Sequence, residues 1–187
     1  MRNCVMAGVA GLLLATSAQA APTGARVEGI VGWDKNKLSV AGFDLDKDGV
    51  VFGLGLGYDF GLGEAVSAGV DLEVSDSSAK LKVFDATGTA SVSTGRDLYA
   101  GGRLTFAVSP KANLYVKAGY TNARITARVQ TATLTDTSSG NADGIRGGAG
   151  VQFLLTDKLY LGGEYRYSNY EADYSRHQVV GTVGFRF

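Results

Sequence analysis

The chain is poor in the residues that build disulfide scaffolds, metal centres and nucleic-acid surfaces. Its 187 residues include one cysteine and one histidine, which excludes a disulfide framework, a cysteine-based zinc site and a multi-histidine metal centre. Lysine plus arginine number 18, as do aspartate plus glutamate, so no basic excess attracts nucleic acid. Two prolines, and 27 glycines without a collagen period, indicate neither a disordered nor a fibrous chain. We expect one domain without metal, cofactor or nucleic-acid partner.

An apolar run at the N-terminus predicts a signal peptide. Arg2 supplies a positive charge, Val5–Ala15 supplies an apolar core, and Ala18–Ala20 is a small-x-small cleavage motif. The apolar core is too short to anchor the chain in a bilayer. Residues 1–20 are therefore the expected signal peptide and residues 21–187 the exported domain, which lacks cysteine once Cys4 is removed.

Beyond this peptide, apolar residues alternate with polar or small ones. In Val66–Val74 the even-numbered residues are all apolar, whereas the odd-numbered residues are polar or glycine. A period of two is typical of β-strands. Most of these segments have about the 9–11 residues that a tilted strand needs to cross a membrane. The eight segments are Arg26–Asp34, Val50–Phe60, Val66–Val74, Leu98–Val108, Leu114–Thr121, Ile145–Leu155, Leu159–Ser168 and Gln178–Phe187.

The connections between these segments alternate in length. Short ones follow strands two, four and six; the long ones are Lys35–Asp48, Asp76–Thr94, Asn122–Asp143 and Asn169–His177. Short periplasmic turns and long outer loops on an even number of strands are typical of transmembrane barrels. The predicted fold class is all-β, an up-and-down antiparallel barrel of eight transmembrane strands. A soluble sandwich or lipocalin-like barrel is the alternative, because alternation alone does not identify the buried face.

Aromatic residues favour the membrane alternative because they collect at both ends of the strands. They lie on the apolar parity, with smaller apolar residues between the two groups, as in the aromatic girdles of membrane barrels. A soluble core would not sort its aromatic residues by depth. The predicted girdles comprise Tyr58, Phe60, Phe106, Phe153, Phe185 and Phe187 beside the short turns, and Trp33, Phe52, Tyr120, Tyr165 and Tyr167 beside the long loops.

The polar parity is predicted to face the lumen, where eight strands leave room for little more than side chains. Charges of both signs share this parity: Arg26, Glu28, Asp34, Asp59, Asp71, Glu73, Asp97, Arg103, Lys117, Arg146, Glu164, Arg166 and Arg186. Unpaired charges in a narrow lumen are costly, so the near balance of sign predicts a salt-bridged plug. A small conducting pore is the alternative.

Several segments resemble the opacity-type, OmpA-like outer-membrane barrels. They are Leu114–Tyr120, Gly163–Tyr167 and Val183–Phe187, together with the signal peptide and the eight amphipathic strands. The resemblance implies an outer-membrane location, contact with outer-membrane lipid and a monomeric barrel. It also implies that the terminal aromatic residue, Phe187, is part of the signal read by the barrel-assembly machinery. The peptidoglycan-binding domain that some relatives carry is expected to be absent.

One acidic motif could bind calcium. Asp44–Gly49 matches the first half of an EF-hand loop, with Asp44, Asp46 and Asp48 as oxygen ligands. The glutamate expected at the twelfth position of such a loop is replaced by Gly55. An acidic outer loop that ends in an Asp-Gly turn is therefore the preferred interpretation.

A second motif has the residue types of a hydrolase triad. Glu171, Asp173, Ser175 and His177 alternate before the last strand. Eight-stranded lipid A deacylases carry His-x-Ser, whereas here the order is Ser175-Arg176-His177, and no oxyanion donors are recognisable. We therefore predict no enzyme activity and no catalytic residues.

The long loops contain candidate interaction surfaces. Lys80–Phe84 and Thr89–Ser93 flank a turn at Asp85–Gly88 and predict a hairpin above the membrane. Arg124–Thr133 is predicted to extend strand five. Projecting edges pair readily with a strand of another molecule; simple stiffening of the loops is the alternative. The predicted function is a structural or surface-interaction (adhesion-like) role with an extracellular ligand at the loops. A low-conductance porin ranks second, and an outer-membrane lipid-modifying hydrolase third.

Overall fold

The computed structural model describes residues 21–40, 43–85, 88–131, 135–171 and 174–187. These residues form nine strands, with the following bounds: β1 (Gly24–Val40), β2 (Phe43–Gly61), β3 (Val66–Ser77), β4 (Lys80–Asp85), β5 (Gly88–Ser109), β6 (Ala112–Thr131), β7 (Thr135–Leu154), β8 (Leu159–Tyr170) and β9 (Tyr174–Arg186). Within the described ranges, no helix is both long and apolar enough to cross a membrane.

The strands form one closed antiparallel barrel. Except for β3 and β4, strands that are consecutive along the chain pair with each other, and β1 pairs with β9. β3 pairs directly with β5, whereas β4 pairs with β5 at one end of that strand. The barrel is thus closed by eight strands, β1–β3 and β5–β9, and β4 belongs to a hairpin that extends it. This confirms the predicted all-β, up-and-down barrel of eight strands.

Three tight turns lie at one end of the barrel, which we call the short-turn end. They join Gly61 to Val66, Ser109 to Ala112 and Leu154 to Leu159. In the first turn the N–H of Leu62 donates to the carbonyl oxygen of Val66 at 2.9 Å. The three connections are those that the sequence predicts to be short.

At the opposite end, the strands continue beyond their predicted limits. β1 and β2 stay paired up to Val40 opposite Phe43, so most of the predicted loop Lys35–Asp48 is a hairpin. β6 and β7 stay paired up to Gln130 opposite Thr135. The predicted loop boundaries are wrong here because polar side chains on both faces remove the period-two signal, although the backbone ladder continues.

The outside of the barrel is apolar and the inside is polar. Leu54 and Leu72 are 60% and 58% exposed, whereas Asp71, next to Leu72 in β3, is 2% exposed. A soluble barrel would bury the leucines and expose the carboxylate. The apolar band on the outer face therefore excludes the soluble alternative and matches a barrel surrounded by lipid.

Aromatic side chains form a ring on the outer face near each end of this band. At the short-turn end the ring centroids of Tyr58 and Phe60 lie 4.8 Å apart, and those of Phe185 and Phe187 lie 5.2 Å apart. The exposed aromatic residues are Tyr58, Phe60, Phe106, Phe153, Phe185 and Phe187 at that end and Trp33, Phe52, Tyr120, Tyr165 and Tyr167 at the other. These are the positions at which membrane barrels meet the lipid–water interfaces.

Inward-facing glycines provide room for long side chains in the lumen. A Cβ atom on Gly57 would lie 2.5 Å from Cζ of Arg26, and one on Gly150 would lie 2.6 Å from Cζ of Tyr115. Real Cβ atoms do not approach other atoms so closely, so any larger residue at these positions would displace the interior side chains.

We call the end opposite the short turns the hairpin end. Beyond the aromatic ring at this end, the barrel wall divides into two protrusions. One is the end of the β1–β2 hairpin. The other, which we call the protruding sheet, consists of residues 80–85, 88–96, 122–131 and 135–143 of β4, β5, β6 and β7. β7 pairs with β8 only from Gly144, which lies opposite Tyr170, toward the short-turn end. Within the described part of the chain, residues 135–142 therefore pair with β6 alone and form a free edge.

The protruding sheet contains both elements that the sequence predicts above the membrane. β4 pairs with β5 from Lys80 opposite Ser93 to Asp85 opposite Gly88, which confirms the hairpin; residues 86 and 87 of its turn lie outside the described ranges. β6 extends to Thr131, as predicted for Arg124–Thr133, of which residues 132 and 133 are likewise outside those ranges.

Candidate functional site

The barrel interior holds a balanced set of buried charges. Among the described residues, seven acidic and seven basic side chains face the lumen and are at most 7% exposed. They are Glu28, Asp34, Asp59, Asp71, Glu73, Asp97 and Glu164, and Arg26, Arg103, Lys117, Arg146, Arg166, Arg176 and Arg186. All thirteen interior charges named from the sequence are in this set, and Arg176 is added to them.

A first cluster of charges lies nearest the short-turn end. Arg103 donates from Nε to Asp71 at 2.8 Å and from both terminal nitrogens to Glu28 at 3.2 Å. Arg26 is ion-paired with Asp71 and with Asp59. Because these groups come from β1, β2, β3 and β5, the cluster ties four strands together across the lumen.

Arg186 and two polar side chains complete this cluster. Arg186 donates to Asp59 at 2.8 Å and to Oε1 of Gln152 at 3.0 Å. The hydroxyl of Tyr160 donates to Glu28 at 2.8 Å. Glu28 thus receives hydrogen bonds from a tyrosine as well as from arginine, as a buried carboxylate requires.

A second cluster occupies the middle of the lumen, where two carboxylates alternate with two cations. Lys117 Nζ lies 2.5 Å from Glu73 and 2.9 Å from Glu164. Arg166 lies 2.7 Å from Glu164 and 3.0 Å from Glu73. The hydroxyl of Tyr115 donates to Glu164 at 2.7 Å. The four charges therefore form a closed ring in which every ion has two opposite neighbours.

A third cluster lies toward the hairpin end and is centred on Asp97. Asp97 is ion-paired with Arg146 and, at 2.8 Å, with Arg176. Arg176 also contacts Asp34 at 2.6 Å. The hydroxyl of Tyr170 donates to Asp97 at 3.0 Å. The sequence analysis missed Arg176 because this residue falls in the predicted loop Asn169–His177. Arg176 has the same parity as Gln178, so extending the last predicted strand by one alternation toward the N-terminus would have found it.

The three clusters form one continuous network. Arg146 Nη1 lies 3.8 Å from Glu73 and links the third cluster to the second. The guanidinium of Arg103 lies 4.3 Å from the ring centre of Tyr115, which donates to Glu164 and so links the first to the second. Each of the fourteen charges thus has an opposite charge within 4.0 Å. Such an interior is neutral and filled by side chains.

Two arginines share the inward parity of Glu164 nearby, Arg166 on the same strand and Arg186 on the next, but only Arg166 contacts it. Arg186 contacts Asp59 instead, near the short-turn end, and Glu164 takes Lys117 as its second partner. Stagger between strands places residues of the same parity at different depths, which the alternation of the sequence does not reveal.

The calcium-loop motif is part of an extended strand. Residues 43–50 belong to β2, in which Asp44 and Asp46 stand opposite Ser39 and Lys37. An EF-hand loop must wrap around its ion, and a paired β-strand does not. Among the described residues, no group of three His, Cys, Asp or Glu side chains is placed to hold a metal ion.

Ser175 and His177 do not form a triad with a described carboxylate. His177 Nδ1 is 2.7 Å from the hydroxyl of Tyr165, and its ring lies 4.8 Å from that of Tyr167. His177 is therefore part of the aromatic ring on the outer face. Glu171 is exposed at the end of β8, and Asp173 lies outside the described residues.

Phe187 lies at the short-turn end, where its N–H donates to the carbonyl oxygen of Ala25 at 3.0 Å. Its side chain is 73% exposed on the outer face. The terminal aromatic residue is thus held beside the first strand and is accessible from outside the barrel.

Comparison with known proteins identifies the fold independently. The family model described as "Outer membrane protein beta-barrel domain" matches residues 4–187. Neisserial surface protein A is 15% identical with a TM-score of 0.60, and the match covers 88% of this chain and 98% of that one. Ail, the attachment invasion locus protein of Yersinia pestis, was crystallised with the heparin analogue sucrose octasulfate; it is 16% identical with a TM-score of 0.57, covering 88% and 99%.

A third similar structure is the N-terminal β-barrel domain of OprF from Pseudomonas aeruginosa. It is 16% identical with a TM-score of 0.51, and the match covers 89% of this chain and 100% of that one. Among curated protein sequences, none matches this chain. At such identities, likeness to the solved structures extends to the fold alone.

Proposed function

We propose that this chain, which belongs to the family of outer membrane β-barrel domains, is a non-enzymatic surface-interaction protein. It is an eight-stranded barrel of the opacity and OmpA-like type. In this proposal the lumen is sealed and the protruding sheet binds a partner outside the cell. The short-turn end then faces the periplasm and the protruding sheet faces outward, as in other barrels with short periplasmic turns.

The free edge of the protruding sheet carries this proposal. Residues 136–141 of β7 are all exposed, and residues 135–142 have β6 as their only strand partner among the described residues. A free strand edge offers backbone donors and acceptors to an added strand. Natural proteins often block such edges with lysine, and residues 135–142 contain none.

The interior supports the non-conducting part of the proposal. Glu73, Lys117, Glu164 and Arg166 are at most 6% exposed and contact each other across the lumen. An open pore requires water between such groups, whereas here the oppositely charged atoms touch. A sealed lumen leaves the surface as the part of the molecule that can act.

Adhesion of whole cells tests the surface role. In a non-adherent Gram-negative host, the wild-type chain should increase binding to cultured epithelial cells. Removing residues 126–139 shortens the protruding sheet and leaves Ile125 and Gly140 as a two-residue turn between Arg124 and Asn141, which are opposite each other in the wild type. This deletion should abolish the gain. Removing residues 39–44 shortens the other protrusion and serves as the matched control. This variant should retain the gain in binding to epithelial cells. Equal effects of the two deletions, or no gain with the wild-type chain, would contradict the proposal.

Planar-bilayer recordings test the sealed lumen separately. The refolded wild-type barrel should give no steady conductance steps. Steps that persist in the variant lacking residues 126–139 would arise from the lumen itself and would favour the low-conductance porin instead.

The same proposal includes how the protein reaches the membrane. The signal peptide is removed after Ala20, and the barrel-assembly machinery recognises the C-terminal aromatic residue Phe187. Ala21 then begins the exported chain; its N–H donates to the carbonyl oxygen of Glu64 at 2.7 Å. Mass spectrometry of the outer-membrane protein should find Ala21 as the first residue, and a chain starting at Met1 would contradict cleavage.

A further inference from the structure

The two faces of the protruding sheet carry charges of different sign. Directly paired residues of neighbouring strands lie on the same face, so the register arranges each face in rows. Arg128 has the parity opposite to the buried Ala123, and its row therefore belongs to the outer face. Two rows of that face are Lys82, Ser91, Arg128 and Thr137, and Lys80, Ser93, Thr126 and Ser139. Asp85 and Asp136 alternate with these positions along β4 and β7 and so belong to the inner face.

The acidic residues of the outer face lie at the base of the protruding sheet, away from these rows. Asp76 of β3 and Asp143 of β7 are both exposed there. Asp143 is six residues from Thr137, which is about 20 Å along the strand. Asp143 accepts a hydrogen bond from the Tyr120 hydroxyl and one from Asn122 at 2.6 Å. The bond from Tyr120, followed by that from Asn122, holds the pKa of the Asp143 carboxyl below its usual value, so the base keeps its negative charge and the rows above it are cationic.

Arg128 is the cation of these rows that lies beside the free edge. Its side chain is exposed, and its Nε donates to the hydroxyl of Thr137 at 3.4 Å. The side chain thus extends from β6 toward the edge of β7. Arg128 forms no ion pair with any residue that the structure describes. A carboxylate placed opposite Thr137 on an added strand would gain a charge-assisted hydrogen bond from this guanidinium.

The inner face beside the same edge has an open position next to an apolar cluster. Gly140 is exposed, and a Cβ atom at its position would meet no atom within 4 Å. Gly140 lies opposite Ile125. Ile125 is half-buried against an apolar cluster that consists of Ala123, Tyr170 and Tyr174. An aromatic side chain on a neighbouring strand can cover an edge glycine, so the position opposite Gly140 favours an aromatic residue that contacts Ile125.

The other edge of the protruding sheet, β4, is less suited to an added strand. Within the described ranges β4 pairs with β5 alone, but its six residues include Lys80 and Lys82. Lysine on an edge strand discourages pairing with another chain. Residues 135–142 contain no lysine, so β7 is the edge that accepts a partner.

We propose that the edge of β7 binds an extended acidic segment of another protein, which joins the protruding sheet as an antiparallel strand. The segment carries a carboxylate opposite Thr137 and an aromatic residue opposite Gly140. These positions are three residues apart and so lie on opposite faces of the added strand, as contact with Arg128 outside and Ile125 inside requires. This inference rests on the proposed surface role and names the chemistry of the partner.

Binding of a defined peptide to the full barrel in phosphatidylcholine nanodiscs tests this site. The probe is Val-Glu-Tyr-Thr-Val-Glu-Lys-Thr, whose second glutamate lies opposite Thr137 when its tyrosine lies opposite Gly140. Fluorescence anisotropy of the labelled peptide gives the Kd. The wild-type barrel and the variant lacking residues 39–44 should bind the peptide equally, whereas the variant lacking residues 126–139 should not bind it. Every variant is first checked for the heat-dependent gel mobility of a folded barrel.

Charge reversal tests the role of Arg128. Arg128→Gln should weaken binding about fivefold, the effect of losing one exposed ion pair. Arg128→Glu should weaken it further and should instead bind the charge-reversed peptide Val-Lys-Tyr-Thr-Val-Lys-Glu-Thr, which the wild type binds poorly. Lys158→Gln removes one exposed positive charge at the short-turn end and should change neither Kd.

Modified peptides test the strand pairing and the aromatic position. N-methylation of alternate peptide residues removes either the N–H groups that face β7 or those that face away from it, so one set should abolish binding and the other should retain it. Replacing the peptide tyrosine with alanine should weaken binding to the wild type about fivefold. The same replacement should have little effect on Gly140→Val, in which the introduced side chain occupies the space beside Ile125.

The proposal is overturned if the two N-methylated peptides bind alike, or if Arg128→Glu does not exchange its preference between the two peptides. It is also overturned if the wild-type barrel binds neither peptide. In that last case, an adhesion gain that still requires residues 126–139 would leave the surface role standing, with a partner of different chemistry. Peptide binding without any adhesion gain would give the opposite result: the site would stand and the surface role would fail.

Discussion

Replacing Glu164 with alanine is expected to destabilise the barrel by about 3–5 kcal/mol, the usual effect of removing one partner from a buried ion pair. Glu164 is 3% exposed and contacts Lys117 at 2.9 Å and Arg166 at 2.7 Å. Without Glu164, Glu73 is the one carboxylate of the central ring that remains for both cations. The ring then contains one negative and two positive charges instead of two of each sign. The hydroxyl of Tyr115 also loses its acceptor, which adds about 1 kcal/mol.

The free energy of unfolding can be measured by urea titration in lipid vesicles. The single tryptophan, Trp33, lies in the outer aromatic ring and is 57% exposed, so its fluorescence reports removal from lipid. Glu171→Ala is the matched control, because Glu171 is exposed at the end of β8. Its loss should remain within about 0.5 kcal/mol.

A compensating variant tests whether charge, rather than shape, causes the loss. Glu164→Gln combined with Lys117→Met restores neutrality in the ring, with Glu73 and Arg166 remaining in contact. The double-mutant cycle should therefore give a coupling energy of at least about 1 kcal/mol in favour of the pair. Equal, small losses for Glu164→Ala and Glu171→Ala, with no coupling, would refute the reasoning, because water in an open lumen would then be solvating the unpaired cations.

Three other outcomes are expected. Phe187→Ala should reduce the amount of barrel in the outer membrane, measured by immunoblot of membrane fractions, and unchanged abundance would remove the assembly role of that residue. Gly150→Ala should lower stability by about 1–3 kcal/mol because its Cβ would lie 2.6 Å from neighbouring atoms; Gly163→Ala meets nothing within 4 Å and should be neutral in the same urea titration. With Cys4 removed, Ser138→Cys should react with a membrane-impermeant maleimide on intact cells and Asp157→Cys should not; the reverse pattern would invert the topology.

The fold could be predicted from the sequence because two signals agree. The period of two identifies strands, and the sorting of aromatic residues by depth identifies a membrane as the surrounding solvent. Both signals depend on contact with the bilayer, so neither is present in the parts of the strands that extend beyond it. This is why the predicted strands end near Asp34 and Gln178, although the ladder between β1 and β9 continues to Leu38 opposite Tyr174.

The interior could be predicted by residue but only partly by partner. Parity fixes which side chains face inward, since neighbouring residues of a strand point to opposite faces. The choice of partner depends on the stagger of the strands and on which glycines leave space, and neither is visible along one strand. Arg186 shows this well: it has the same parity as Glu164 on the neighbouring strand, yet it lies 2.8 Å from Asp59 of β2.

The interior ion pairs connect strands that are not adjacent in the sheet, and this affects how the barrel folds. Arg103 of β5 pairs with Glu28 of β1, and Arg176 of β9 pairs with Asp97 of β5; neither pair of strands is adjacent in the sheet. In an open sheet these groups would be separated by several strands, so their contacts form only when the barrel closes. A partly closed intermediate would hold many of these charges without partners in a low-dielectric environment. Closure and unfolding should therefore each occur in a single cooperative step, whichever strand detaches first.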